Sequence, residues 1–177
     1  ERAERDGVDW RELGEFTPAA TGDLPATYCT LLSHNVHMTV TLEAFHESLV
    51  GVHAVRERKE PESYGRESLL TRVSDGCVVQ CGIMRIDLEG LPPGVRESIE
   101  ERRAPLGRIL IRNNLLREVE LLALWKIAIG ERLAEYFGRE VGEVVYGRSA
   151  RIHLEGEPRV DLLEIVTDDP RGLPEGL

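Results

Sequence analysis

The sequence predicts an α+β domain, an antiparallel sheet with helices packed on one face. Three observations carry this. Runs rich in β-branched residues follow one another through short turns, at Ser48 to Arg58, Arg66 to Val73 and Cys77 to Leu88. Asp75-Gly76 sits between two of them, a dipeptide suited to a two-residue hairpin in which both central φ values are positive. Near the end, Gly156-Glu157-Pro158 separates two further strand-like segments. Strands joined by turns pair antiparallel, whereas parallel pairing needs long crossovers.

The elements follow in order. Residues 1–24 are polar and read as an N-terminal arm, with one helical turn around Trp10 to Leu13. The domain proper spans residues 25–167. Ala26 to Val36 reads as a short helix with Tyr28, Leu31 and Leu32 inward. After the first three strands, Leu91-Pro92-Pro93-Gly94 breaks the chain, and Val95 to Arg103 forms a charged helix with Val95 and Ile99 on one face. Leu115 to Phe137 is ambiguous. Its Leu, Ala, Glu and Lys content favours a helix, but its first part also suits a buried strand. Gly130 divides it, and Glu131 to Phe137 is expected as a helix closed by Gly138. Glu143 to Leu154 reads as a strand with Val144, Ala150, Ile152 and Leu154 inward, and Arg159 to Thr167 as the last strand. Residues 168–177, with two prolines and two glycines, form a tail.

Composition narrows the function. The 177 residues suffice for one domain with a real core. A net charge of -10, with arginines scattered along the chain, argues against nucleic acid as a partner. No apolar run is long enough to span a membrane, and the charged opening from Glu1 to Glu12 is no signal peptide. Three cysteines point to a reducing, cytoplasmic setting. Cys77 and Cys81 lie about 13 Å apart along a strand, too far for a disulfide. His34 and His37 lack a third ligand, so no metal is expected.

Three places could carry chemistry. Pro105 enters a short apolar turn, leaving the N–H of Leu106 free to hold an anion. Along the last strand Glu164 shares a face with Val160, Leu162 and Val166, where a carboxylate is costly unless neutral or partnered; alternatively that face is the solvated one. Arg66, just after Gly65, could pair with a buried acid, bind a ligand carboxylate, or stand on the surface.

Four segments occur in a fixed order: His-Met-Thr-Val-Thr-Leu-Glu from His37, Gly-Arg-Glu-Ser-Leu-Leu from Gly65, Pro-Leu-Gly-Arg-Ile-Leu from Pro105, and Leu-Leu-Glu-Ile from Leu162 after Gly156-Glu157-Pro158. Together they resemble the chorismate pyruvate-lyase (4-hydroxybenzoate synthase) family, over about residues 30 to 167. The resemblance implies a six-stranded antiparallel sheet with helices on one face, and a strand at Leu115 to about Ile127. It implies Arg66 and Glu164 as catalytic residues, with substrate also held by the backbone N–H groups of Met38 and Leu106. Some members carry a second arginine or a glutamate in the third strand. Here that position is Ile83, and Arg85, two residues on, is the substitute candidate.

The implied activity is a cofactor-free lyase that eliminates pyruvate from chorismate and leaves 4-hydroxybenzoate. The alternatives are a stand-alone effector-sensing domain of the same fold that binds a small carboxylate, or a related enzyme acting on another small aromatic acid. Regulators of this fold carry a winged-helix domain ahead of it, for which the residues before Pro25 are too few.

Overall fold

Seven strands pair antiparallel in the order β1-β5-β6-β7-β4-β3-β2 in the computed structural model, which describes residues 10–115 and 117–177. Residues 1–9 of the expected arm, and Leu116, lie outside the described residues. Strands β2 (Val50–Lys59), β3 (Ser63–Arg72) and β4 (Cys77–Asp87) form the expected meander. Strands β5 (Arg117–Ile129), β6 (Val144–Leu154) and β7 (Glu157–Gly172) form the other half. β7 joins the halves by pairing with β4.

The count of six strands is corrected to seven. The extra strand is β1 (Gly14–Ala19), which follows the short helix α1 (Trp10–Leu13) and pairs with β5. It lies in the stretch expected as an arm, and Pro18 suits an edge strand because its outer side needs no donor. At the other end, β7 runs on through Gly172, into residues expected as a tail. β5 is a strand despite its helix-forming composition. Pairing with β1 on one side and β6 on the other satisfies its backbone and outweighs a weak local propensity.

Helices cover both faces, not one. Over one face lie α2 (Ala26–Leu32), α3 (Met38–His46), α4 (Pro93–Glu100) and α5 (Leu106–Arg112). On the opposite face α6 (Glu131–Phe137) buries Leu133 and Phe137 against Cys81, Ile83, Leu163 and Ile165. α6 ends at Gly138 in the left-handed conformation, as its sequence indicates. Both faces of β7 are therefore buried. Val145, not Val144, is the inward residue at the start of β6.

Turn chemistry worked differently at the two hairpins. At β3–β4 only Gly76 has positive φ, and its N–H bonds to Arg72 O across a longer loop than expected. The two-residue loop with two positive φ values is Glu155-Gly156, one residue before the predicted turn, with Leu154 paired to Glu157. No helix among the described residues is long and apolar enough to cross a membrane.

Candidate functional site

The helices over the first face form two pairs, each with its own core. α2 and α3 pack over Val50, Leu70, Val79 and Val166. α4 and α5 pack over Tyr64, Met84, Ile86, Ala150 and Ile152. The seam between the pairs is a pocket with about 600 Å³ of unfilled space, part of it open to solvent. Its floor is a row of residues in cross-strand register: Ser68 opposite Gly82, Gly82 opposite Glu164, and Glu164 opposite Arg148. Period-two alternation thus sends one polar residue from each of several strands to the same place. Gly82 adds no side chain, and the Gln80 amide takes up the room, its Nε2 3.1 Å from where a β-carbon would stand.

Arg66, Glu164, Met38 and Leu106 all line this pocket. Arg85 stands apart: it is exposed, next along β4 from the pocket-facing Met84 and outside the lining. Ile83 packs against the α6 core.

Arg66 is only 4% exposed, and its Nε and Nη1 atoms have no hydrogen-bond partner. Burial pulls the guanidinium below the ordinary arginine range. The neighbouring Tyr64 hydroxyl donates to Glu57 Oε2 at 3.1 Å, and Glu57 is itself shared with Arg102 at 3.5 Å. A desolvated cation without full compensation is an electrostatic site for an anion.

Glu164 is partnered. Arg148 Nε donates to Glu164 Oε2 at 2.6 Å, and Arg148 is fully buried. Its remaining nitrogens tie down the α2–α3 loop: Nη1 donates to His34 O at 2.8 Å and Nη2 to Val36 O at 3.1 Å. Sequence reasoning missed Arg148. Its only sequence signal is its place on a strand with alternating apolar residues.

The wall opposite the floor is made by two helix starts. Val40 and Thr41 donate to His37 O, which leaves the amides of Met38 and Thr39 without helical acceptors. Ile109 donates to Pro105 O, with the same consequence for Leu106 and Gly107. Neither helix has a side-chain N-cap bond. The two starts abut because residue 107 is glycine: a β-carbon there would lie 3.0 Å from Thr39 Oγ1. An Arg108–Glu43 ion pair holds α5 to α3. These amides add partial positive charge beside Arg66.

The histidines have separate roles. His34 Nε2 lies 2.7 Å from Leu31 O and its Nδ1 accepts from Val36 N at 3.3 Å, so both ring nitrogens serve the loop. His37 lines the pocket with Nε2 buried and unpartnered, and its pKa is pulled down to about 4, first by burial, then by Arg117 and Arg148. A histidine with a depressed folded pKa is neutral in the native state, while the unfolded chain takes up a proton below about 6.5. Stability is therefore retained above pH 6.5 and lost as pH falls from 6.5 towards 4. With solvent screening of this half-buried ring, the loss from His37 is expected to be on the order of 1–2 kcal/mol. Melting temperature followed across that range should fall less steeply in His37→Asn. Identical slopes would assign the acid sensitivity elsewhere.

No family model and no curated protein matches the chain. Solved structures do. PhnF from Mycobacterium smegmatis superposes with a TM-score of 0.52 at 12% identity, over 78% of this chain and 68% of that one. A gene product of Staphylococcus aureus gives 0.50 at 10% identity, over 72% and 89%. The ligand-binding domain of a GntR-family transcriptional regulator from Bordetella bronchiseptica gives 0.48 at 13%, over 72% and 92%. At these identities the likeness concerns the fold, which is chorismate lyase-like: an antiparallel α+β sheet with helices.

Proposed function

We propose that the chain is a small-carboxylate-binding domain that senses its ligand rather than converting it. The observation that carries this reading is the Arg66 guanidinium, buried in the pocket with two unpartnered nitrogens. A ligand carboxylate would bond to it and to the free amides of Met38 and Leu106, and the apolar walls from Leu106, Val119, Ile152 and Leu162 suit a ring. The lyase reading asks Glu164 to assist proton movement. Here one of its oxygens is committed to Arg148, which favours binding over turnover.

Calorimetric titration with 4-hydroxybenzoate, alongside incubation with chorismate and an assay for pyruvate, separates the two. Binding of the aromatic acid without pyruvate release is the expected result. Pyruvate release above the uncatalysed rate would return the chain to the lyase class, with Arg66 and Glu164 as its catalytic residues.

A further inference from the structure

A second cluster of buried charge lies on the face opposite the pocket, under α6. Glu67 is 2% exposed, and Tyr136 donates to its Oε1 at 2.9 Å. Its Oε2 has no hydrogen-bond partner among the described residues. Arg132, on α6 and also buried, stands before that oxygen with Nη1 at 3.6 Å, and Nη1 too is without a hydrogen bond. A second acid holds the guanidinium back: Nη2 donates to Glu12 on α1, whose side chain is half exposed. One cation is thus divided between a surface carboxylate and a buried one, and bonds only the first. Burial pushes the Glu67 carboxyl above its ordinary range, as befits a charge short of partners.

The segment that carries Glu12 is lightly held. No residue of β1 is buried. Its anchors are Leu13, fully buried in the α6 core, and Phe16, edge-on to Trp125. The backbone seat is close and specific. Gly130 N–H donates to Leu13 O at 2.8 Å, and a β-carbon at Gly130 would stand 2.6 Å from Glu12 O. We propose that α1 and β1 form a detachable strap and that Arg132 is its two-position latch, paired with Glu12 while the strap is seated and with Glu67 once it lifts. The seated state leaves Glu67 Oε2 and Arg132 Nη1 without hydrogen bonds, and the lifted state joins them. Two buried polar groups therefore pull against the strap, while Leu13, Phe16 and the Glu12 pair hold it down. Lifting bares the edge of β5 from Leu124 to Ile129 and leaves it open to another strand.

The signature of such a latch is a pair of opposite effects. The reporter is hydrogen exchange at the Gly130 amide, which bonds to Leu13 O only while the strap is seated. It is followed in the parent, Glu12→Gln and Glu67→Gln at mildly alkaline pH, so that Glu67 bears its charge. Each rate is scaled to that of the Leu88 amide, which bonds to Glu62 O away from the strap. Glu12→Gln should speed exchange at Gly130 by about 2–5-fold, the range for an exposed ion pair. Glu67→Gln keeps an acceptor for Tyr136 and removes the charge, so it should slow the same exchange by about the same factor. A crystal structure of Glu12→Gln tests the second position with Glu67 intact: Arg132 Nη1 should come within hydrogen-bond distance of Glu67 Oε2. Unchanged exchange in Glu12→Gln, or two variants that shift it in the same direction, overturns the latch. So does an Arg132 that keeps its distance from Glu67 in the Glu12→Gln structure, which decides the matter even if Glu67→Gln does not fold. None of these measurements involves the pocket or its ligand.

Discussion

The ligand-free chain carrying Arg66→Met should melt above the parent, and it should no longer bind 4-hydroxybenzoate. Both effects have one cause. Arg66 is buried with Nε and Nη1 unpartnered, so the free protein bears the desolvation cost of a cation without its full return. Methionine fills similar volume without the charge, beside Met84 and the apolar walls. Relief of an unsatisfied buried polar group is worth about 1–3 kcal/mol. For a chain of this size that raises Tm by roughly 2–4 °C per kcal/mol. Loss of a buried charge-assisted contact to the ligand costs about 2–5 kcal/mol, roughly 30- to 5,000-fold in affinity. Thermal melts without ligand and calorimetry with it measure the two halves. A variant that melts lower and still binds would place Arg66 among structural residues and end its role as anion receptor.

Arg148→Met should do the reverse. Although also buried, Arg148 is fully engaged, and removing it strands three acceptors at once: Glu164 Oε2 and the carbonyls of His34 and Val36. An uncompensated buried carboxylate typically costs about 3–5 kcal/mol. The expected fall in Tm is about 6–20 °C. The α2–α3 loop should loosen as well, since Arg148 fixes it to the floor, and amide exchange at Val40 and Thr41, which donate to His37 O, should quicken. Adding Glu164→Leu to Arg148→Met removes the stranded charge and should recover much of the loss. Denaturant or thermal unfolding of the parent, both single variants and the double variant forms the cycle. A single variant as stable as the parent, or a double variant no better than the sum of the singles, would show that the pair carries no coupling.

Much of the local structure was legible from sequence. The β-branched runs of β2 to β4, the break at Pro92-Pro93, the α6 segment between Gly130 and Gly138, and the buried pair Val95 and Ile99 all express short-range rules. Period-two alternation correctly grouped Val160, Leu162, Glu164 and Val166 on one face, though it left open whether water or helices cover it. The turns were harder. Asp75-Gly76 has the composition of a tight hairpin, yet Leu49 O engages Val73 N–H and the loop closes later, at Gly76.

Tertiary structure alone decided three things. β1 becomes a strand because β5 presents an unpaired edge to Gly14–Ala19, more than a hundred residues earlier in the chain. β5 itself overrides its helix-forming residues because pairing on both sides satisfies its backbone bonds. Arg148 looks in sequence like any other arginine. Its partner Glu164 is 16 residues away and the loop carbonyls are 112 and 114 away, so only the folded sheet brings them together. Sequence determined which residues could hold an anion, because charge and period are local properties. Which of those charges remains free for a ligand depends on who neutralises whom, and that is set by cross-strand register and by the loop folded over it.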